Sequence, residues 1–271
     1  MKRSIALLLP LALIACEEQP AGEPVVRAEI GESTPASEAG SRWQSDCREV
    51  TFEGARFTHC TAHPEDHRIA TALNGRSGAP VRSLAAYAAE RRADASPVAF
   101  AMNGGMFDEE GKPIGYYVQG GARSQSLSRT DGPGNFHLLP NGVFFGTGSK
   151  WEVRTTEDFY ENVSVRPSFG TQSGPMLVID GQLHPEITEN GPSRKIRNGV
   201  GIDRRGRAHF VISAGSVSFG QFARLFRDEL QTPNALFLDG AVSSLWDPAT
   251  DRLDSGAPLG PLIVVEKREE S

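Results

Sequence analysis

The sequence predicts an α+β fold in which a mixed β-sheet and a few helices form a single domain. Two patterns predict it: short apolar runs of strand length alternate with glycine-rich turns, and a few segments between them have helical periodicity. No internal repeat or second linker follows residue 41. Residues 42–267 are therefore expected to fold around one hydrophobic core.

The first 15 residues are typical of an export signal. Two basic residues precede an apolar run from position 5 to position 15, which is shorter than the roughly 18 residues that a membrane-spanning helix needs. The run ends in Leu-Ile-Ala followed by Cys16, which is similar to the lipobox of bacterial lipoproteins, where the cysteine is lipidated. A secretory signal with a chance cysteine is the alternative. We predict a signal peptide at residues 1–15 and a lipid on Cys16.

Residues 16–41 are predicted to form a lipidated, disordered tether. The segment is rich in Glu, Pro, Ala, Ser and Gly and has too few apolar side chains to build a core. We therefore expect the protein on the periplasmic side of the cell envelope, touching the membrane only through its lipid. Position 17 is Glu17 and not the aspartate that retains some lipoproteins at an inner membrane, which favours the outer membrane.

Charge and motif content exclude several function classes. The formal net charge of the chain is −6 and its basic residues are scattered, so we expect no nucleic-acid partner. The sequence has no Gly-x-Ser-x-Gly elbow, phosphate-binding loop or dinucleotide fingerprint. Its histidines lack His-Glu-x-x-His spacing, although His63 and His67 lie four residues apart. We expect neither a metal nor another cofactor.

Cys47 and Cys60 are the two cysteines left if the first is lipidated. Between them, alternating apolar residues flank a candidate two-residue turn at positions 53 and 54. Pairing Phe52 with Ala55 across this turn places Cys47 directly opposite Cys60, within the span of a disulfide. An oxidising compartment favours that bridge, and two free thiols are the alternative.

Two helices and a set of strands are predicted along the domain. Residues 82–94 have helical spacing with two arginines near the end, and Ser218 is a candidate N-cap for a helix at residues 220–230. That second helix lies between two predicted strands, so we expect a right-handed crossover joining parallel strands. The predicted strands are residues 98–102, 142–145, 151–154, 176–179, 200–203, 209–212, 235–238 and 262–265.

Three of these strands begin or end at small residues that accompany one polar group. Such strand ends are where ligands gather in sheets with crossovers, because glycine lets a backbone approach a ligand closely. Each motif alone is equally typical of a turn. The residues are Asn103, Gly104 and Gly105 after the first strand, Gly174 before the strand at 176–179, and Asp239 and Gly240 after the strand at 235–238.

Together and in this order, the motifs resemble the phosphodiester glycosidase family, which includes the enzyme that uncovers mannose 6-phosphate by removing N-acetylglucosamine. The resemblance runs from about residue 99 to 265. It implies a hydrolase that cleaves the glycosidic bond of a sugar-1-phosphodiester in the cell envelope. The matching segments are residues 103–107, 174–178 and 197–201, followed by Leu238, Asp239, Gly240 and Ser243.

The resemblance also implies roles for individual residues. Asp239 would stabilise an oxocarbenium-like centre or activate water, Asn103 would orient sugar hydroxyls or the water, and Arg197 would clamp the phosphate. Two structural alternatives remain open: Arg197 pairs with Asp203 or another carboxylate, and Asp239 caps the turn after its strand. Asp203 itself is expected to be a turn residue outside the site.

The remaining predicted contacts belong to substrate binding. The backbone N–H groups of two glycines are expected to reach the phosphate, and the serines either bind phosphate or hold the catalytic carboxylate in place. These substrate-binding residues are Gly104, Gly105, Gly174, Gly240, Ser243 and Ser244.

The sequence departs from the family pattern at Ala241 and Val242, where glycines are usual. The loop after Asp239 is therefore bulkier. This departure supports an alternative function, a non-catalytic envelope module that binds phosphodiester-linked glycans or a protein partner. The joint presence of Asn103, Arg197 and Asp239 favours the enzyme.

Overall fold

The computed structural model describes residues 44–268, in which strands greatly outnumber helices. The strands are β1 (Cys47–Phe52), β2 (Ala55–Ala62), β3 (His67–Ala72), β4 (Val98–Asn103), β5 (Tyr117–Gln119), β6 (Ala122–Gln125), β7 (Gly142–Thr147), β8 (Lys150–Thr155), β9 (Phe169–Ser173), β10 (Met176–Ile179), β11 (Gln182–Leu183), β12 (Arg194–Lys195), β13 (Asn198–Ile202), β14 (Ala208–Ser213), β15 (Val217–Ser218), β16 (Asn234–Phe237), β17 (Leu245–Asp247), β18 (Arg252–Leu253) and β19 (Leu262–Lys267). The helices are α1 (Leu84–Glu90), α2 (Thr156–Asn162) and α3 (Phe219–Arg224), with 3-10 turns at Asn135–His137 and Pro248–Thr250 and a π-helical segment at Leu225–Glu229.

These strands form four sheets within one compact unit. Their orders are β1-β2-β14-β13-β16-β10-β11, β18-β17-β4-β19-β3, β6-β5-β9-β7-β8 and β12-β15. Every pairing between described strands is antiparallel, so the predicted mixed sheet is wrong. The single domain with few helices is confirmed, but it is more β-rich than a balanced α+β fold.

The predicted crossover is present, but the two parallel strands that it joins do not pair with each other. Strands β14 and β16 are each antiparallel to β13, so they run in the same direction, and α3 lies between them in the chain. They are not neighbours, because β13 lies between them in the sheet. Sequence periodicity reports which segments are strands, but it does not report which strands pair.

The predicted hairpin and its cross-link are confirmed. Strand β1 pairs with β2 in the expected register, with Cys47 opposite Cys60, and the two form a disulfide with Cα atoms 3.9 Å apart. Glu53 and Gly54 both have positive φ, 45° and 75°. This backbone is that of a two-residue turn whose twist suits a tight hairpin.

Both predicted helices are present: α1 is shorter than expected, whereas α3 and the π-helical segment that continues it span residues 219–229, close to the predicted 220–230. Ser83 caps α1 by accepting the N–H of Ala86 at its Oγ, and the helix ends before Arg91, whose Nη1 instead lies 2.9 Å from Glu266 Oε1. Ser218 caps α3 as predicted, accepting the N–H of Gln221. Helix α2 was not predicted. All eight predicted strands are present, with ends that differ by up to two residues.

The seven-stranded sheet is buried on both faces. One face joins the other two large sheets in a central cluster that includes Phe210, Phe100 and Phe144, one from each sheet. The opposite face packs against α3 and the π-helical segment through Phe222 and Phe226. The middle strands of this sheet are therefore fixed from two sides, and they carry the candidate site at one end.

The predicted signal peptide, the lipidated Cys16 and the tether lie outside the described residues. Among the helices that the structure does describe, none is both long enough and apolar enough to cross a bilayer.

Candidate functional site

The ends of three strands from two sheets meet at one point. Strand β4 ends at Asn103, β13 begins at Asn198, and the chain leaves β16 through Leu238 and Asp239. Asn198 Nδ2 donates to Asn103 Oδ1 at 2.8 Å, and its backbone oxygen accepts the N–H of Leu238 at 3.1 Å. The predicted convergence of Asn103 and Asp239 is therefore present.

Asn198 connects the two predicted residues, although it was not itself among the predicted site residues. Its side chain is fully buried. Its Oδ1 accepts the backbone N–H of Asp239 at 3.0 Å, while its Nδ2 donates to Asn103. The available signal was an amide side chain at the start of an otherwise apolar and glycine-rich strand. A buried carboxamide in such a strand needs partners at both ends of the group.

The side-chain oxygen of Asn103 has hydrogen-bond partners, whereas its side-chain nitrogen has none among the described residues. It is 1% exposed, and its Oδ1 accepts bonds from Asn198 Nδ2 and from the backbone N–H of Ser244 at 2.8 Å. Its Nδ2 has no hydrogen-bond partner within the part of the chain that is described. A buried donor without a partner costs about 1–3 kcal/mol, and a bound ligand or water is the usual explanation. Asn103 can therefore donate to a ligand.

The Asp239 carboxylate is held by backbone groups, and no cation pairs with it in the described range 44–268. It is 7% exposed, and its Oδ1 accepts the N–H of Ala241 at 2.7 Å. Burial raises the pKa of the Asp239 carboxyl, and the N–H groups of Ala241 and Val242 offset part of that rise. Turn capping, the structural alternative, is thus present, and the capping carboxylate is at the same time desolvated.

Arg197 is fully buried, and it does not pair with a described carboxylate. Its Nε donates to the Val217 carbonyl at 3.0 Å, and its Nη2 donates to the Ser193 carbonyl at 2.8 Å. The guanidinium carbon lies 3.5 Å from the ring centre of Phe219. The alternative in which Arg197 pairs with Asp203 is wrong.

The electrostatic state of Arg197 follows from this burial. Loss of hydration lowers the pKa of the guanidinium to about 10, which leaves it charged at neutral pH. Its Nη1 makes no hydrogen bond to any described residue. Arg197 directly precedes β13, and Asp239 lies two residues after the end of β16. Because β13 and β16 are antiparallel, this buried cation and this buried carboxylate lie just beyond the same edge of the strand pair, and no ion pair joins them in the described structure.

Ser243 and Ser244 stabilise the loop after Asp239. Ser243 Oγ donates to the Asp239 carbonyl at 2.7 Å, and Ser244 Oγ donates to the Val242 carbonyl at 3.1 Å. Of the two roles predicted for these serines, the structure supplies the contacts that hold Asp239 in place. Gly240 is tightly packed, since a Cβ there would lie 3.0 Å from the Phe237 ring and would require a small shift of that ring.

The predicted donation by Gly104 and Gly105 to a phosphate is wrong for this structure. The N–H of Gly104 donates to the Pro261 carbonyl at 2.7 Å, and that of Gly105 donates to Thr171 Oγ1 at 3.1 Å. Gly105 has a packing requirement instead, because a Cβ there would lie 2.2 Å from the Gln172 carbonyl oxygen.

Gly174 also lies against protein. A Cβ at this position would come within 2.6 Å of Asn141 Cβ and 2.9 Å of the Phe136 carbonyl oxygen. Next to it, Ser173 Oγ donates to the Leu238 carbonyl and ties the β9–β10 junction to the end of β16. The Gly-Pro motif therefore contributes to the site through Ser173, while the glycine itself is explained by packing.

The two bulkier residues of the Asp239 loop differ in burial. Ala241 is exposed, whereas the Val242 side chain packs against the apolar cluster that includes Leu84 and Leu262. The valine side chain that replaces the usual glycine at position 242 therefore adds apolar contacts to this cluster. It does not by itself fill the space beside Asp239.

One group of described residues has ligand atoms close enough to hold a metal ion. His63, Glu65 and Asp66 offer atoms within 4.8 Å of one another, on a surface loop before β3. His67 is not part of this group, and its Nδ1 accepts the backbone N–H of His63 at 3.0 Å. None of these residues belongs to the three strand ends that form the candidate site.

Comparison with known proteins gives a family match over most of the domain. The family model described as phosphodiester glycosidase matches residues 96–265. The uncharacterized protein YigE of Escherichia coli (strain K12) is 34% identical over 186 residues, which cover 69% of this chain and 72% of that protein. The matched region contains all three strand ends of the site.

Two solved structures have the same fold. The catalytic domain of zebrafish N-acetylglucosamine-1-phosphodiester alpha-N-acetylglucosaminidase, auto-inhibited by its pro-peptide, is 14% identical with a TM-score of 0.56, covering 82% of each chain. A protein of Burkholderia pseudomallei is 10% identical with a TM-score of 0.50, covering 78% of this chain and 74% of that one. At these identities the likeness is one of fold.

Proposed function

The chain belongs to the phosphodiester glycosidase family, and we propose that it hydrolyses the glycosidic bond of a sugar-1-phosphodiester in the cell envelope. The observation that carries the proposal is that Asn198 holds both residues of the site. Its Oδ1 accepts the backbone N–H of Asp239, whose carboxylate is buried, and its Nδ2 donates to Oδ1 of Asn103, whose own Nδ2 has no partner among the described residues. A buried donor without a protein partner is a position where a ligand or an ordered water is expected to bind.

The chemistry of the substrate class fits one buried carboxylate. The leaving group is a phosphate monoester whose second pKa is about 6, so its departure needs less protonation than that of a sugar alcohol. Catalysis then depends mainly on stabilising positive charge at the anomeric carbon. In a desolvated site, a carboxylate such as Asp239 does this more effectively than in water, or it takes a proton from the attacking water.

Arg197 and Asn103 supply the complementary contacts in this proposal. The charged guanidinium has its Nη1 uncommitted, and arginine is well suited to phosphate oxygens. The Asn103 Nδ2 donates to a sugar hydroxyl or orients the water. Localisation is part of the proposal: a chain lipidated at Cys16 would be anchored to the membrane through its lipid and would meet envelope glycans.

The direct test is turnover. The full chain in mild detergent is incubated with a panel of sugar-1-phosphodiesters, and reducing sugar is measured. The proposal expects release by the wild type and none by Asp239→Asn. The matched control is Asp131→Asn, because Asp131 also accepts a backbone N–H, from Gly132 at 2.8 Å, but is exposed at the surface. Equal release by wild type and Asp239→Asn would overturn the role of Asp239.

The second candidate is a non-catalytic module that binds phosphodiester-linked glycans or a protein partner in the envelope. The departure at Ala241 and Val242 favours it, since the loop next to Asp239 differs from the family pattern. Such a module would bind members of the same panel without releasing sugar. Binding without turnover across the panel would replace the enzyme by this candidate.

A further inference from the structure

A separate cleft lies at the opposite end of β13 from Asn198. The tight turn between β13 and β14 forms one wall, and the end of the π-helical segment forms the other. Its volume is ≈ 610 Å³, within the range of about 300–1,000 Å³ that is usual for small-molecule sites. Four arginines line it, so we call it the arginine cleft: Arg204, Arg205, Arg207 and Arg227.

Two of the four arginines carry charge that no carboxylate neutralises. Arg204 and Arg205 are exposed, and neither forms an ion pair within the described range 44–268. The nearby Asp203 is already committed, because its Oδ1 accepts the N–H of Arg205 at 2.9 Å and its Oδ2 accepts Nε of Arg207 at 2.7 Å. The carboxylate at the base of the turn therefore holds the turn together.

The other two arginines are paired but remain at the cleft surface. Arg227 Nε lies 2.6 Å from Oδ1 of Asp228, its sequence neighbour, which does not line the cleft. Arg207 pairs with Asp203, and both arginine side chains keep 33% of their surface exposed. Against four arginines, the cleft is lined by two aspartates, Asp180 and Asp203. The lining thus has an excess of positive charge, although the whole chain has a formal charge of −6.

The arginine cleft is distinct from the candidate catalytic site. Strand β13 runs from Asn198 at the catalytic end to Ile202, next to the cleft-forming turn. At about 3.3 Å per residue, the two regions are separated by roughly 15 Å along the strand. One phosphate cannot contact both.

We propose that the arginine cleft binds the phosphate group of a second ligand, at a site separate from catalysis. Guanidinium groups offer paired donors that match phosphate oxygens, and several of them converging on one concave surface give an anion more contacts than a flat basic patch does. The same chemistry is presented by a soluble phosphate ester and by a phospholipid headgroup. The proposal concerns the phosphate, and the experiment separates the two sources.

The test measures binding of inorganic pyrophosphate by titration calorimetry at constant ionic strength, with the full chain in mild detergent. The variant R204Q/R205Q removes the two unpaired charges. R48Q/R56Q is the control, because Arg48 and Arg56 are also exposed and form no ion pair with a described residue. We expect the wild type and the control to bind alike and R204Q/R205Q to lose about tenfold or more in affinity.

Two results would overturn the proposal: no pyrophosphate binding by the wild type, or equal affinity in R204Q/R205Q and the control. Competition identifies the source of the phosphate. Displacement of pyrophosphate by a sugar-1-phosphate assigns the cleft to soluble phosphate esters, and displacement by phosphatidylglycerol vesicles, but not by phosphatidylcholine vesicles, assigns it to headgroups. Asp239→Asn should bind pyrophosphate as the wild type does. A failure of the proposed glycosidase activity would therefore not affect the proposal for the arginine cleft.

Discussion

Asn198 Nδ2 lies 2.8 Å from Asn103 Oδ1, although the two residues are 95 positions apart in the chain. The bond joins the end of β4 in one sheet to the start of β13 in another. Because the Oδ1 of Asn198 also accepts the N–H of Asp239, the two proposed catalytic groups share one positioning residue. Their relative geometry depends on a side chain that itself has no access to solvent.

Asn198→Asp should separate positioning from folding. The new side chain keeps the shape and the acceptor for the Asp239 N–H, but it loses the donor to Asn103 Oδ1 and places two oxygens against each other. We expect kcat to fall about tenfold or more and stability to fall by about 1–3 kcal/mol. Sugar release and urea unfolding check this. Wild-type kcat in a destabilised variant would assign Asn198 a structural role only.

Asp239→Asn should remove activity without loss of stability. Burial raises the pKa of the Asp239 carboxyl, so the native state disfavours its charged form, and this group's contribution to stability falls as pH rises above the usual aspartate range. The neutral amide removes that cost at neutral pH. Thermal unfolding should therefore show an unchanged or higher midpoint. In the wild type, the fall of kcat/KM toward acidic pH should have an apparent pKa above the usual pKa of aspartate. A lower apparent pKa would contradict the proposed role.

Arg197→Lys should raise KM more than it lowers kcat. Lysine keeps the charge but cannot reproduce the donors to the Val217 and Ser193 carbonyls or present a guanidinium to phosphate. We expect KM to rise about tenfold or more and stability to fall by about 1–3 kcal/mol, because buried acceptors lose their donors. An unchanged KM in a less stable variant would make the arginine purely structural.

Removing the disulfide should destabilise the domain measurably. The bridge between Cys47 and Cys60 spans 13 residues of sequence separation, for which loop-closure entropy predicts about 3 kcal/mol. Urea unfolding of Cys47→Ala/Cys60→Ala, or of the wild type under a reductant, should show a loss of this size. Two reactive thiols in the denatured, unreduced wild type would show that the bridge does not form in the protein.

Stability should fall with acid before the carboxylates titrate. Burial, with the nearby charges of His209, Arg48 and Arg207, lowers the pKa of His59 to about 3. The unfolded chain takes up a proton there near pH 6.5 while the native state does not, so stability is lost as pH falls below about 6.5, by up to about 1.4 kcal/mol per pH unit for one proton. His59→Gln should flatten this dependence in urea unfolding between about pH 7 and pH 5. An unchanged slope would contradict the assignment.

The sequence was most informative where the structure is local. The β1–β2 hairpin and the Cys47–Cys60 register follow from a turn and an alternation within 14 residues, and the Ser83 and Ser218 caps from short-range patterns. Strands β12, β15 and β18 have two residues each, too few for any periodicity, and they exist because a partner strand pairs with them. Such elements are set by the tertiary structure.

The site shows the same division between local and distant information. Motifs at strand ends identified Asn103 and Asp239, because glycine and a polar group beside an apolar run are visible in one window. Asn198 had no such motif of its own, and its importance comes from partners 95 and 41 positions away. The sequence also did not indicate that the N–H groups of Gly104 and Gly105 are already hydrogen-bonded within the protein, because their acceptors, in Pro261 and Thr171, come from distant segments.

The burial of β13 on both faces has a consequence for how the protein would meet its ligand. A strand clamped between a central core and a helical layer has little freedom to adjust, so the dipoles at its end are oriented before any substrate arrives. The reorganisation energy of the site should be small. We expect Asn198 and its two partners to have nearly the same positions with and without ligand, with adaptation confined to the loop after Asp239.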